Sequence, residues 1–564
     1  MARQTLSVDA WNLVFENATK EDLCNLCLVS RTFNTIATGI LYRSISLIGP
    51  DPNPNQMWSW HPDKQTEEAE TKPPNSGHWH LLRRLEDDTD DTVRNYVQNL
   101  VLSSSKGPRE LDQEFLSHLL KDNRLCKLIG RLPNLRKVTL TMPDLQTESI
   151  ICAINRHSRK PELILSIENG GRSTFGNNLL PCVTNLKVSV SPFDESDGEN
   201  RRVLAVQKLL FNCPNVRSLA LTIRWKYGGC IVSSPRYPIT TSFRLTGTET
   251  FPPIEDLSLN GYRMGDDEWA HWRDRFDWSK LSSLTLGPQN TLGILGRLAG
   301  YATSLTTLKT CSYAGDRSED RAGLSSFLSS FDTLKALELK GFICSIDAIA
   351  QHKNLETLCL HEDESSRAGK PRTVLTAEEL DYLDRECPDL RILKVDITRG
   401  DNKMPTDVLT KLATGFKNLQ SLSIHFELGL PDIKHPITPT LNYASVRSIS
   451  QSFFDERKKS SIDITNSYTL ILWTGNCYRR WPQWEPPYAS FEKKFTATYE
   501  VRLPDGGSEV EVRHLQKDRL DSFPEPSKRN AFGDYSSYEF SRLRTQVGAA
   551  VEGPTEALMQ EVGV

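Results

Sequence analysis

Thr376–Val395 reads TAEELDYLDRECPDLRILKV. The first half, up to Cys387, reads as a helical segment. The second half carries Leu390, Leu393 and Val395: aliphatic, two residues, aliphatic, one residue, aliphatic. The same triplet stands at Val97-Leu100-Leu102, Leu135-Val138-Leu140, Val183-Leu186-Val188 and Val216-Leu219-Leu221. It returns at Ile254-Leu257-Leu259, Leu281-Leu284-Leu286, Leu334-Leu337-Leu339, Leu355-Leu358-Leu360 and Leu419-Leu422-Ile424, while Leu305-Leu308 has Thr310 in its last slot. The eleven starts lie 21 to 48 residues apart. Chance alone gives about five such triplets in a chain of this length, with Leu, Ile and Val at roughly a fifth of residues. The context carries the rest. Asn134, Asn215, Asn354, Asp389 and Asn418 each stand directly before a triplet, and helical stretches such as VLAVQKLLFNC, GLSSFLSSF and PTDVLTKLATGF precede most of them. Helix, turn and short strand recur in that order.

This order resembles the leucine-rich repeat, in the irregular kind led by Cys-Pro, here NCPNV and ECPDL. The Asn usual beyond the last aliphatic is replaced by Pro143, Tyr262, Asp363 and Thr398. The 48-residue interval leaves room for one more strand at Leu163-Leu165-Ile167. Parallel strands stack about 4.8 Å apart, so eleven make an arc on the order of 50 Å. Its concave face is expected to carry the positions between the aliphatics, among them Lys137, Thr139, Arg217, Ser218, Glu255, Asp256, Arg391 and Lys394. Such arrays offer extended binding surfaces.

Ahead of the repeats, Lys20–Leu47 reads KEDLCNLCLVSRTFNTIATGILYRSISL. Trp11, Val14, Phe15 and Ala18 follow the spacing of one helical face, as do Leu23, Leu26, Cys27 and Ser30, and then Phe33, Ile36, Ala37 and Ile40. Thr19, before Lys20-Glu21-Asp22, fits an N-cap. Leu13, Leu28 and Val29 fall off these stripes. Three short helices are therefore expected over roughly residues 9 to 40, apolar on more than one side. A unit of about 40 residues rarely stabilises itself alone, so the surplus face is expected to pack on this chain or on a partner.

DAWNLVFENATKEDL, LCLVSRTF and the tail ILYRSISL resemble an F-box over residues 5 to 47, with Ser7 where the family has Pro. The resemblance implies docking on the Skp adaptor of a cullin-RING ubiquitin ligase. The docking residues carried over are Leu6, Val8, Leu13, Val14, Leu23, Leu26, Val29 and Phe33. An F-box ahead of leucine-rich repeats implies a non-catalytic substrate receptor, its repeat face holding a protein for ubiquitination. The alternative is a scaffold that docks the same adaptor, or another partner, without promoting ubiquitination.

The composition excludes other classes. With 564 residues, 25% of them charged and a formal net charge of -4, a general nucleic-acid binder is not expected. No apolar run reaches the ~18 residues of a membrane span. Asp9 and Glu16 interrupt the first twenty residues, which argues against a secretory signal and for a cytoplasmic or nuclear protein. The scattered cysteines then read as reduced, buried thiols. Cys24 and Cys27 form a C-x-x-C pair with no second pair to complete a zinc site. Asp87-Asp88-Thr89-Asp90-Asp91 lacks the Gly and Glu of a calcium loop, and His78 and His80 have no further ligand nearby. Gly293, Gly296 and Gly300 lack dinucleotide spacing, and no P-loop, G-x-S-x-G or H-E-x-x-H occurs. No cofactor, metal or catalytic residue is expected.

The expected fold is α/β: a three-helix F-box at 1–48, an exposed Pro- and Asn-rich linker at 49–77, and an irregular leucine-rich-repeat solenoid at 78–455. A small C-terminal β extension follows at 456–515 and a mobile tail at 516–564. Val446-x-x-Ile449 is read as the last coil. FTATYEVRL and EVEVRHL, separated by PDGGS, are read as a hairpin, and WPQWEPPY at 481–488 as a cap on the array's end, with a site for a peptide or flat ligand as the alternative.

Overall fold

A computed structural model describes residues 7–47, 76–87, 91–102, 117–141, 145–168, 178–190, 201–224, 243–287, 292–311, 318–341, 344–362, 364, 372–399, 404–430, 437, 440–460, 462, 468–475, 495–504 and 507–515. Leu6, most of the linker, the WPQWEPPY segment and the C-terminal tail lie outside the described residues. The fold is mixed α/β, helices and strands alternating along the chain, and it divides into two compact units. The first comprises Met1–Lys226, Thr240–Ser258 and Met264–Asp277, the second Tyr227–Ile239, Leu259–Arg263 and Trp278–Val564. The division falls inside the stretch expected to be one array.

The first unit opens with α1 (Val8–Phe15), α2 (Lys20–Leu26) and α3 (Arg31–Leu41). Each begins at a side chain that satisfies an amide the helix leaves without a partner. Ser7 accepts from the Ala10 amide, Thr19 and Asp22 form a capping box, and Ser30 accepts from the Phe33 amide. Strands β1 (Ser44–Ser46), β2 (Asn99–Leu102), β3 (Lys137–Leu140), β4 (Glu162–Glu168), β5 (Val183–Val190) and β6 (Ser218–Ile223) then pair in parallel, each with the next. β4 is the strand expected in the 48-residue interval. At the start of β7 (Asp256–Asn260), Glu255 and Asp256 both donate their amides to the Arg217 carbonyl, at 2.7 and 3.0 Å.

In the second unit β8 (Ser283–Leu286), β9 (Thr307–Cys311), β10 (Ala336–Lys340), β11 (Thr357–His361), β12 (Ile392–Ile397), β13 (Ser421–Phe426) and β14 (Thr469–Thr474) pair in parallel in chain order. β15 (Ala497–Arg502) and β16 (Glu511–His514) add the expected antiparallel hairpin.

Every residue of the eleven triplets is buried, none above 4% exposed, Thr310 included. The Asn before a triplet has a physical role. Its side-chain amide donates to the coil before it: Asn134 to Asn95 O at 2.7 Å, Asn215 to Pro181 O at 2.8 Å, Asn418 to Pro388 O at 2.9 Å. A backbone carbonyl of one coil is thereby tied to the next.

Val446 and Ile449 are not a strand. They lie in the helix Tyr443–Lys459, whose buried face is Val446, Ser450, Phe453, Phe454 and Arg457. That spacing is helical, and Asn442 caps its start. Arg457 donates to the carbonyls of Ala413 and Phe416, both at 3.2 Å, closing the end of the helix Thr406–Thr414. The last parallel strand is β14, inside the expected β extension.

A recurring core slot stands three residues before a triplet, filled by Leu132, Cys213, Ala302, Phe331, Cys387 and Phe416, all buried. His352 occupies it once, fully buried beside the Phe331 ring at 5.2 Å, and among the described residues neither ring nitrogen has a partner in hydrogen-bond geometry. Burial pushes its pKa down, outweighing the Asp332 backbone and carboxylate, which favour the proton. An unfolded histidine titrates near 6.5, so below about pH 6.5 the unfolded chain binds a proton that the folded one refuses, and stability falls by up to ~1.4 kcal/mol per pH unit. His352→Leu should raise stability by about 1 kcal/mol at pH 7.5 and flatten part of that acid slope. Urea unfolding of both proteins at pH 7.5 and 5.5 checks this; an unchanged slope refutes it.

Candidate docking face and a buried polar column

The three N-terminal helices close on an aromatic and aliphatic core. Phe15, Leu23, Ile36 and Ala37 are buried, with Trp11, Ala18, Leu26, Cys27, Phe33, Ile40 and Leu41 packed against them. The rings of Trp11, Phe15 and Phe33 lie 4.8 to 5.8 Å apart. The far side of α3 is taken by later helices of this chain, Ser76–Glu86 and Asp91–Tyr96. A Cβ at Gly39 would stand 3.4 Å from the Tyr96 ring, Arg84 donates to the Tyr42 hydroxyl at 2.9 Å, and β1 pairs with β2.

What remains open is aliphatic. Ten large apolar side chains are exposed among the described residues, and five of them fall between 8 and 29. Val8, Leu13 and Val14 on α1 are 55, 66 and 52% exposed; Leu28 and Val29, in the turn before α3, are 86 and 64% exposed. The turn is held rigid: the Leu28 amide donates to Asn25 O, the Val29 amide to Leu26 O, and Asn34 Nδ2 to Cys27 O at 2.9 Å. Arg43 and Glu16 form an exposed ion pair at 2.8 Å. Five aliphatics on so short a stretch mark an interaction surface more readily than scattered exposure does.

Of the residues carried over from the F-box resemblance, Val8, Leu13, Val14 and Val29 are therefore on the open surface. Leu23 is not; it is 5% exposed inside the trio's core, and Leu26 and Phe33 are partly buried against it. Val14, expected on the inner stripe with Trp11 and Phe15, faces out. Leu28 belongs to the open set, and its signal was its place off the stripe. Ser7, where the F-box pattern has Pro, N-caps α1.

The face between the aliphatics of the strands carries the polar residues expected there. Lys137, Arg217, Glu255, Arg391 and Lys394 are exposed; Thr139, Ser218 and Asp256 are half-buried. In the second unit Glu338 sits between Lys309 at 3.5 Å and Lys340 at 2.7 Å, and those cations hold its carboxyl below the usual range despite burial.

Among the described residues no disulfide joins the ten cysteines; five are buried, and burial pushes the Cys182, Cys359 and Cys387 thiols up to about 11. Cys24 is exposed, contrary to expectation, and no metal-ligand group forms with Cys27 among the described residues. Gly296 lies in the helix Leu292–Leu298, where a Cβ would come 3.4 Å from Gly323 Cα, so it serves helix packing. Asp88, Thr89 and Asp90 fall outside the described residues.

One group of candidate metal ligands does occur: His361, Asp396 and His425, all buried, with ligand atoms within 4.8 Å of one another. Each stands on its strand directly after the third aliphatic of a triplet, a position that should face water. Arg372 fills the place a cation would take. Its guanidinium lies 2.6 Å from His425 Nδ1 and 3.5 Å from Asp396 Oδ2. The group does not fit a metal ion, because a fixed positive charge already holds the imidazole lone pair. No family model matches the chain, and no curated protein matches it.

Leu13→Asp should leave amide exchange protection of α1–α3 within about threefold of wild type, because Leu13 touches water. Leu23→Asp should abolish that protection, at a cost of about 3–5 kcal/mol. Hydrogen exchange on both variants separates surface from core; loss of protection in Leu13→Asp would overturn the assignment.

Proposed function

We propose that this chain is the substrate-recognition subunit of a Skp–cullin–F-box ubiquitin ligase, acting in the cytoplasm or nucleus. In this reading the exposed aliphatics of α1 and of the Leu28-Val29 turn dock on the Skp adaptor, and through it on the cullin. The repeat face holds a protein target. The chain performs no chemistry of its own; its contribution is proximity and orientation of the target. The observation that carries the reading is the pairing of LCLVSRTF with a filled trio core and five outward aliphatics. A helix-in-groove contact needs such closely spaced apolar anchors with few charges at its centre. Helix-and-strand coils follow this trio in the order the F-box and leucine-rich-repeat resemblance implies.

Leu13→Asp with Val29→Asp should cut co-purification with the Skp adaptor at least tenfold while the fold persists. Equal recovery with the double variant refutes adaptor docking. Deleting residues 1–47 should remove adaptor and cullin from an affinity capture while leaving target proteins bound. Accumulation of those targets in cells lacking the chain separates a receptor from a scaffold, under which their levels stay unchanged.

A further inference from the structure

The column of His361, Asp396, His425 and Trp473 crosses β11 to β14 on the sheet face away from the helices. Asp396 stands opposite His425, and His425 opposite Trp473, in the strand register. Residues at these positions should be solvated, yet His361, Asp396 and His425 are buried. Loops of the same unit cover them. Arg372 reaches in from the segment before the helix Ala377–Glu386 and also donates to Ile397 O at 3.1 Å. Glu364 accepts the amides of Leu428, Gly429 and Leu430 at 2.7, 2.6 and 2.6 Å, tying the loop after β11 to the loop after β13.

The hydrogen bonds fix the state of His425. Arginine only donates, so Nδ1, 2.6 Å from its guanidinium, must present its lone pair. The Gly475 carbonyl only accepts, so Nε2, 3.0 Å away, must carry the proton. His425 is therefore neutral while the segment is closed. A proton on Nδ1 would set two donors, both positive, against each other in a water-excluded space. The other groups facing His425 are His361 on β11, whose Nδ1 donates to Asp396 Oδ1 at 2.8 Å, Asp396 itself, Arg399 and the Trp473 ring at 4.3 Å. Glu362 and Glu364 face Arg372, and Glu427 faces Arg399. One carboxylate thus shares the column with a guanidinium and two imidazoles.

We propose that the Arg372–His425 contact is an acid-sensitive latch: protonation of His425 releases the Arg372 segment and uncovers Asp396, His361 and Trp473 on the sheet face. Burial first, then Arg372 and His361, push the His425 pKa well down, the direction the latch requires. An exposed histidine titrates near 6.5, so the closed-to-open ratio should fall up to tenfold per pH unit below about 6.5. Burial also raises the Glu364 pKa, so its contribution has to be separated from that of His425.

Hydrogen exchange on the full chain between pH 7.5 and 5.5, corrected for intrinsic rates, tests the latch on peptides spanning 372–376 and 427–430. Wild type should lose protection there on acidification, with core strands such as β10 unchanged. His425→Asn keeps an acceptor for Arg372 but cannot titrate, and should hold protection across the range. Glu364→Gln should keep the acid response, and Arg372→Leu should be open at both pH values. A flat wild-type profile overturns the latch whatever the variants do. So does an acid response surviving in His425→Asn, which would assign it to the carboxylates, or full protection in Arg372→Leu.

Discussion

A short parallel strand sends alternate side chains to opposite faces, and that alternation assigns every strand residue of this chain one of two environments. The aliphatics of the triplets go beneath the helices; the residues between them go to the other face. A slip of one residue would exchange the two sets. The pairing of β4 with β5 shows the constraint at work. Leu163 meets Val183, but Ile164 meets Asn185, so Thr184 is passed over. Leu165 then stands opposite Leu186 and Ile167 opposite Val188, buried against buried. The irregularity preserves the faces at the expense of the ladder.

The same alternation gives the unusual positions their meaning. Glu338, between two lysines, is an ordinary occupant of the polar face. His361, Asp396 and His425 stand on that same face without its water, and they differ because loops lie over them. A polar column closed in this way must satisfy its groups internally, since unpaired buried charge costs several kcal/mol. Arg372 meets the Asp396 carboxylate and in turn dictates the protonation of His425.

Much of the fold was legible because its signals are local. The triplet, the leading Asn and the preceding helical stretch all fall within about one coil, and the Asn turns out to bond the coil before it. The hairpin was equally plain from alternation and its turn. Val446-x-x-Ile449 misled because half a triplet is also i, i+3, the step of a helix, and only the continuation through Phe453 and Arg457 decides. Val14 and Leu23 exchanged places for a related reason: a stripe gives the angle of a helix face, while its depth depends on how three helices meet around Trp11, Phe15 and Phe33. The buried column was illegible in principle. Arg372 and His425 are 53 residues apart, and no periodicity links a loop to the strand it covers.

The outward aliphatics of the helix trio are best weighed in energy. Burying a Val or Leu fully is worth about 1.5–3 kcal/mol, so five offer on the order of 10 kcal/mol before any cost of association. Association itself costs roughly 4–15 kcal/mol. Hydrophobic burial alone thus supports a weak complex at most, and a stable one needs a partner groove shaped to seat Leu13 and Val29 with few unsatisfied groups at its rim. The chain prepares for that at the other end of the balance. The capping box at Thr19, the Ser30 cap and the Asn34–Cys27 bond immobilise the turn in advance, so little ordering remains to be done on binding. Preorganisation of this kind is what lets a small apolar face discriminate among grooves, and it is the property that random surface hydrophobes lack.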